Sequence, residues 1–116
     1  MSDPIDGFGE GLLVLHATFP GAYVVTLRGV ADWNMPESLL RDHFTRAADT
    51  GLRLVVDLGA LEYGSEELLG LLLDARRAGG LELVGPLGDS FRGRLDRAGV
   101  TAWFTIHPTL TAALHP

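Results

Sequence analysis

The sequence predicts a single α/β domain with an open, mixed β-sheet and about four helices. Apolar runs of strand length alternate along the chain with segments of helical apolar spacing, the arrangement of a largely parallel sheet with crossover helices. The first two strand-like runs are separated only by the turn pair Pro20-Gly21, so an antiparallel hairpin opens the sheet. The 116 residues fit one core, and we expect a flexible leader over residues 1–10 and a folded domain over residues 11–116.

The hairpin and the first helix come directly after the leader. The runs LLVLHATF and AYVVTLRG flank the turn and are rich in the β-branched and aromatic residues that strands favour. A first helix follows, with Asp32 or Asn34 as its cap and Pro36 near its first turn. It is expected to end near Thr50-Gly51, which leads into the central strand.

The central unit joins a buried strand to an amphipathic helix at Ser65. Residues 54–56 are a continuous apolar run that ends at Asp57, the pattern of a strand covered on both faces. From Glu66 the leucines recur at helical spacing as far as Gly79-Gly80. A serine before a helix accepts a backbone N–H of the first turn, so Ser65 is predicted to be the N-cap. The helix positions expected in the core are Phe44, Leu68, Leu71, Leu72 and Leu95.

The C-terminal part is predicted to add two strands and two helices. Residues 81–84 form a short apolar run before a proline. A third helix, capped by Asp89 or Ser90, is expected to stop at Gly99, and Pro108 can start a terminal helix. The last edge strand is expected to contain Trp103, Phe104 and Ile106.

Composition excludes several classes of function. The net charge of −6 disfavours nucleic-acid binding, which requires a clustered basic surface. The chain has no cysteine, so disulfides and thiolate metal sites are excluded, and no lysine, so neither a P-loop lysine nor a Schiff base is available. It shows no signal-peptide pattern and no apolar run approaching about 20 residues, so we expect a cytoplasmic protein without a membrane partner.

Four features together resemble the STAS domain over roughly residues 11–114. GVAD at 29–32 follows a strand, VVDL at 55–58 opens the central unit, a serine precedes the second helix, and LDRAGV at 95–100 precedes an aromatic edge strand. The small members of that family include the anti-sigma factor antagonists, also called anti-anti-sigma factors, which regulate transcription. The resemblance implies a STAS-type fold and a regulatory rather than an enzymatic role.

The resemblance also implies a partner and a switch. In this family an anti-sigma factor with serine kinase activity phosphorylates a serine or threonine at the start of the second helix, and only the unphosphorylated form binds that kinase. The acceptor falls on Ser65, and the aspartate of the loop after the second strand falls on Asp32. Where the family usually reads Asp-Ser-Ser/Thr-Gly-Leu, this chain has GSEEL at 64–68. Two glutamates beside the acceptor would repel a phosphate and offset part of the favourable field at a helix N-terminus.

Simpler structural roles remain open for the same residues. Ser65 can be only an N-cap, and the two glutamates can be first-turn acids that complement the helix dipole. Asp57 fits an Asx turn at the strand end, and Asp32 fits a turn or cap.

Neither an enzyme nor a cofactor or metal site is expected. The flanks of Ser65 lack the G-x-S-x-G pattern of a nucleophile elbow, and no G-x-G-x-x-G or P-loop pattern occurs. The four histidines are scattered, and His107 and His115 are too far apart for a helical metal pair, so we expect them at the surface.

A docking patch is predicted on one flank of the second helix. Leu69 and Leu73 lie about 100° or more from the centre of its core arc, on the side nearest Ser65. Either a neighbouring helix covers them or they are exposed beside the switch serine, with Arg76 at the far end of the patch. The predicted partner-binding residues are Asp32, Trp33, Gly64, Ser65, Glu66, Leu69, Leu73 and Arg76.

Two functions from different classes therefore remain open. The first is an antagonist that binds an anti-sigma factor kinase and is switched by phosphate on Ser65. The alternative is a non-phosphorylated STAS scaffold or small-molecule-sensing module, which the altered motif would allow. A weak homodimer also remains open.

Overall fold

A computed structural model describes residues 5–9 and 11–115 of the chain. Within them lie one six-stranded sheet, four α-helices and a 3₁₀ turn at Thr101–Trp103. The strands are β1 (Ile5–Gly9), β2 (Leu12–Phe19), β3 (Ala22–Ala31), β4 (Arg53–Gly64), β5 (Glu82–Val84) and β6 (Thr105–His107). The helices are α1 (Glu37–Thr50), α2 (Glu66–Ala78), α3 (Asp89–Ala98) and α4 (Leu110–Leu114).

The strands lie side by side in the order in which they occur in the sequence. β1, β2 and β3 are antiparallel neighbours, whereas β3, β4, β5 and β6 run parallel. Phe19 pairs with Ala22 across the predicted turn, where Gly21 adopts a φ of 80° that favours glycine. The predicted mixed sheet, with a hairpin followed by βα units, is confirmed.

The first strand falls within the predicted leader. Ile5–Gly9 pairs with β2, so a strand replaces the expected flexible segment over these five residues. Sheet pairing uses only backbone N–H and C=O groups, and the outer edge of β2 offers them, so no apolar alternation was required. Residues 1–4 and 10 of the predicted leader lie outside the described residues.

The helices cover the two faces of the sheet unequally. Leu54, Val56 and Leu58 of β4 belong to the main core, which contains the buried side chains of α1, α2 and α3. Val55 points to the opposite face and joins a smaller cluster with Ala113 of α4, because successive side chains of a strand alternate. The strand is therefore buried on both faces, as its continuous apolar run predicts.

The predicted core positions of the helices are confirmed. Each is buried in the main cluster between the sheet and α1, α2 and α3. Helix α2 begins and ends where predicted, at Glu66 and just before Gly79. None of the helices in the described part of the chain is long and apolar enough to cross a membrane. The buried positions are Phe44, Leu68, Leu71, Leu72 and Leu95.

Two predicted helix caps are wrong. Helix α1 has Pro36 at its N-cap and no side-chain cap, while Asp32 instead accepts the N–H of Asn34 at 2.9 Å. Helix α3 begins at Asp89 after Gly88, again without a side-chain cap, so Asp89 is a first-turn acid. Acidic and small polar residues are favoured both at a cap and in a turn or first helical turn, so composition alone did not separate these positions.

The last strand is shorter and begins later than predicted. It covers Thr105–His107, whereas Trp103 lies in the 3₁₀ turn and Phe104 follows it. Aromatic residues favour strands only through packing, which a 3₁₀ turn can also satisfy. The terminal helix begins at Leu110, and the hydroxyl of Thr109 caps it by accepting the N–H of Ala112 at 3.0 Å.

Candidate functional site

Ser65 joins the end of β4 to the start of α2 and caps the helix. Its backbone is extended, with φ −79° and ψ 173°, and its Oγ accepts the N–H of Leu68 at 3.2 Å. The predicted N-cap is therefore confirmed. The residue is only 5% exposed. Its hydroxyl is consequently engaged within the protein and turned away from bulk water.

The loop between β3 and α1 lies beside Ser65. β3 and β4 are parallel neighbours, Ala31 pairs with Gly64, and the N–H of Ser65 donates to the Ala31 carbonyl at 2.9 Å. The chain continues from Ala31 into Asp32 and Trp33, and the Trp33 side chain is 80% exposed. Parallel strands therefore bring both predicted segments to the same edge of the sheet. We refer to Asp32, Trp33, Gly64, Ser65 and Glu66 as the Ser65 surface.

Arg94 of α3 reaches the Ser65 surface and was not identified from the sequence. Its Nε donates to the Gly64 carbonyl at 3.0 Å, and its Nη2 donates to the Tyr63 hydroxyl at 3.3 Å. Its Nη1 lies 3.4 Å from a carboxylate oxygen of Glu66. The guanidinium also lies 5.8 Å from the centre of the Tyr63 ring, within cation–π range. Arg94 therefore contacts residues on both sides of Ser65.

Gly64 fits where no larger residue would. A Cβ atom at this position would lie 2.5 Å from the ring of Phe91, which is buried against it. The family's usual aspartate at this point therefore does not fit beside Phe91. Helix α3 thus holds the segment before Ser65 in place through two contacts, the Phe91 ring packed against Gly64 and the Arg94 guanidinium bonded to the Gly64 carbonyl.

The charges around Ser65 are of both signs. Glu66 and Glu67 occupy the first turn of α2, where acids complement the helix dipole, and both are exposed. The Glu66 side chain is 82% exposed, whereas that of Arg94 is 20% exposed. Arg94 therefore places a positive charge directly beside Glu66.

The predicted patch on the flank of α2 is only partly exposed. Leu69 is 7% exposed and belongs to the main core, and Leu73 is half-buried against it, so Leu69 is not an exposed anchor. Arg76, three residues beyond Leu73 on this flank, donates to the Trp103 carbonyl at 2.6 Å and lies over the Trp103 ring. The 3₁₀ turn after α3 thus packs against Arg76, at the far end of this flank.

Exposed aromatic side chains lie both near Ser65 and on the flank of α2. Among the side chains described, the large exposed apolar ones are Trp33, Tyr63 and Trp103. Trp33 lies on the Ser65 surface, and Tyr63 lies two residues before Ser65. The sequence predicts a binding role for Trp33 but none for Tyr63. Strand alternation at the sheet end was the available signal, since Gly64 is buried and Tyr63 points away from it.

Asp57 has a structural role. Its carboxylate accepts the N–H of Gly59 at 3.0 Å, the Asx turn considered for it from the sequence. Among the described residues no group of three or more histidine, cysteine, aspartate or glutamate side chains is arranged to hold a metal ion.

Two histidines expected at the surface or left unassigned lie inside polar networks. His43 is buried, with its Nδ1 2.6 Å from the Tyr23 hydroxyl. His107, expected at the surface, is largely buried, and its Nε2 lies 2.6 Å from Glu82. Glu82 also makes a bidentate pair with Arg53, and this pair lowers the pKa of Glu82 below its usual range. The partners in these networks are 20 and 25 residues apart in the sequence, so no local sequence pattern predicts the contacts.

A cavity of about 400 Å³ opens between α1 and α2. Its walls are mainly apolar, with Phe44, Leu54 and Leu71 among them, and Arg41 and Asp74 lie 3.4 Å apart at its margin. Ser65 is not among the residues that line it, since the cavity lies toward the C-terminal end of α2.

Comparison with known proteins identifies the fold. The chain is similar to the crystal structure of an anti-sigma factor antagonist from Mycobacterium paratuberculosis, with a TM-score of 0.77 and 27% identity over 99% of this chain and 97% of that one. It is also similar to the phosphorylated form of SpoIIAA, a Bacillus cell fate determinant, with a TM-score of 0.67 and 18% identity over 88% of this chain and 96% of that one. No protein-family model and no curated protein sequence matches the chain. Both structures are STAS-domain proteins, so over nearly its whole length the chain has the STAS fold and resembles the anti-sigma factor antagonists.

Proposed function

We propose that the chain is a regulatory protein that binds an anti-sigma factor with serine kinase activity and is switched by phosphorylation of Ser65. The fold of the anti-sigma factor antagonists supports this proposal. SpoIIAA, which shares the fold, is described in a phosphorylated form. No catalytic role is proposed for the chain itself.

One observation carries the proposal: the serine at the start of α2 lies beside the loop that carries Trp33, the most exposed large apolar side chain described. The hydrogen bond from Ser65 N–H to the Ala31 carbonyl joins the two segments directly. An exposed aromatic anchor inside a polar rim is typical of a protein-binding hot spot. A single partner surface can therefore contact Trp33 and sense the state of Ser65 at once.

The modification would use ATP as the phosphoryl donor. The Ser65 Oγ forms a new bond to the γ-phosphorus, the bond from that phosphorus to ADP breaks, and the hydroxyl proton passes to a base of the kinase. Because Oγ accepts the Leu68 N–H and is shielded, the first turn of α2 must open before transfer. The phosphate then adds about −1.5 to −2 charges beside Glu66 and Glu67, and binding weakens through repulsion and desolvation.

A kinase assay tests the proposal. The chain is incubated with ATP and a serine-kinase anti-sigma factor encoded in the same genome, and intact-mass measurement and peptide mapping follow. We expect one added phosphate, on Ser65, and none on the Ser65→Ala variant. Ser38 and Ser90 are exposed and serve as internal controls. A phosphate on Ser38 or Ser90, or an unchanged mass, would contradict the proposed switch.

Two observations favour a second candidate function, a non-phosphorylated STAS scaffold or small-molecule-sensing module. The Ser65 hydroxyl already has a structural role as a cap, and the cavity between α1 and α2 has a volume within the range of small-ligand sites, about 300 to 1,000 Å³. Under this function the kinase assay leaves the mass unchanged, while the same anti-sigma factor still binds the Ser65 surface or a small ligand raises the melting temperature.

A further inference from the structure

Arg94 makes two kinds of contact with the segment around Ser65. The bonds from its Nε and Nη2 go to the Gly64 carbonyl and the Tyr63 hydroxyl, which belong to the end of a sheet strand. The contact of its Nη1 is with the carboxylate of Glu66, whose side chain is 82% exposed. Exposed ion pairs contribute little free energy, so the contact with Glu66 is easily exchanged.

We propose that Arg94 is the residue that receives the phosphate on Ser65, exchanging the Glu66 carboxylate for a phosphate oxygen. This inference rests on the proposed phosphorylation of Ser65. Ser65 lies between Gly64 and Glu66, and Arg94 contacts both. A phosphoserine carries about −1.5 to −2 charges and a carboxylate only one, so the guanidinium attracts the phosphate more strongly than it attracts the exposed carboxylate.

The proposed exchange explains how a phosphate on Ser65 can be accommodated beside two glutamates. Glu66 and Glu67 by themselves would repel a phosphate, whereas Arg94 supplies a cation held in place by Tyr63 and Gly64. A phosphate oxygen can also accept the Leu68 N–H in place of the serine hydroxyl, which keeps α2 capped. Phosphorylation would then free Glu66 toward the solvent and the partner, without refolding the domain.

The test uses the full chain with phosphoserine placed at position 65 by amber suppression, so that no kinase is required. The second pKa of the phosphate is measured by ³¹P NMR titration in the unsubstituted chain and in the Arg94→Gln variant. Arg92→Gln is the matched control, because Arg92 is on the same helix and pairs with Asp96 instead. We expect the second pKa to be lower by about 0.5 unit or more in the unsubstituted chain and in Arg92→Gln than in Arg94→Gln.

A second measurement needs no substitution at Arg94. The side-chain ¹⁵Nε resonance of Arg94 is compared between the Ser65 and phosphoserine forms, and we expect it to shift while that of Arg92 does not. Equal pKa values in the two variants, or an unmoved Arg94 resonance, would overturn the proposal. Because the phosphate is installed without a kinase, these results are independent of the kinase assay, in which failure would count against the proposed function alone.

Discussion

The hydroxyl of Ser65 contributes to stability as well as to the proposed switch. It satisfies the N–H of Leu68, one of the first-turn donors that lack an intrahelical partner. We therefore expect Ser65→Ala to lower the free energy of unfolding by about 0.5 to 2 kcal/mol in urea denaturation. Ser90→Ala is the control, because Ser90 is exposed and makes no cap, and it should change stability by less than about 0.5 kcal/mol. Equal effects at the two serines would show that the hydrogen bond from the Leu68 N–H to the Ser65 hydroxyl contributes no measurable stability.

Gly64 is predicted to tolerate no side chain while Phe91 stays in place. Gly64→Ala would bring a methyl group to 2.5 Å from the Phe91 ring, and we expect a loss of about 1 to 3 kcal/mol from this overpacking. Gly70→Ala is the matched control within α2, since a Cβ atom added there would meet nothing within 4 Å and alanine favours a helix. It should raise the melting temperature. If Gly64→Ala is neutral, Phe91 does not hold this segment.

At the residue scale the sequence indicated Ser65 and Asp57 more reliably than Leu69. The N-cap and the Asx turn are local, because each depends on a hydrogen bond within three residues of chain. The burial of Leu69 in the main core depends on elements outside α2, so the helical projection showed the direction of the side chain but not whether another element covers it.

Helix α2 is predicted to depend on both of its apolar arcs. Leu71→Ala and Leu69→Ala should each lower the free energy of unfolding by about 2 to 5 kcal/mol, since both side chains are in the main core. Leu73→Ala, at a half-buried position on the flank of Leu69, should cost less. Chemical denaturation measures all three. A loss below about 0.5 kcal/mol at Leu69 would contradict its burial in the core and would support an exposed docking patch.

The attachment of β5 to α4 is predicted to depend on pH. Arg53 links Glu82 of β5 to the Ala113 carbonyl of α4, and this pair, with His107, lowers the pKa of Glu82 in the folded state. A lowered carboxyl pKa stabilises the fold above the unfolded value of about 4.3 and loses that contribution as the pH falls through the lower folded value. Urea titrations from pH 7 to 3 should therefore show a gap between the unsubstituted chain and Glu82→Gln that narrows below about pH 4. A constant gap would contradict this assignment.

At the scale of elements, the hydrophobic periodicity predicts the order and type of most helices and strands, but it does not predict their boundaries. The caps of α1 and α3 were misplaced because Asp32 and Asp89 suit a turn or a first helical turn as well as a cap. β1 was missed because an edge strand can form through its backbone alone.

For the molecule as a whole, the topology assembles a surface that the sequence describes only in separate pieces. The ends of β3 and β4 meet because the strands are parallel neighbours, and this much of the Ser65 surface could be predicted. Arg94 and Phe91 arrive from a helix beyond the next strand, and no short-range pattern distinguishes Arg94 from the other arginines of α3. The site therefore depends on the fold for its positive charge and for the exclusion of a side chain at Gly64.

Binding affinity tests the central proposal. It states that an anti-sigma factor binds the surface that carries Trp33 and distinguishes the phosphorylated from the unphosphorylated form of Ser65. Isothermal titration calorimetry would compare the unmodified chain, the chain with phosphoserine at position 65 and the Trp33→Ala variant, each with the same serine-kinase anti-sigma factor. We expect the unmodified chain to bind, and both changes to weaken binding by about tenfold or more, equivalent to about 1.4 kcal/mol, with unchanged circular dichroism spectra. Equal affinities for the unmodified and phosphorylated forms, or no binding by the unmodified chain, would contradict the account.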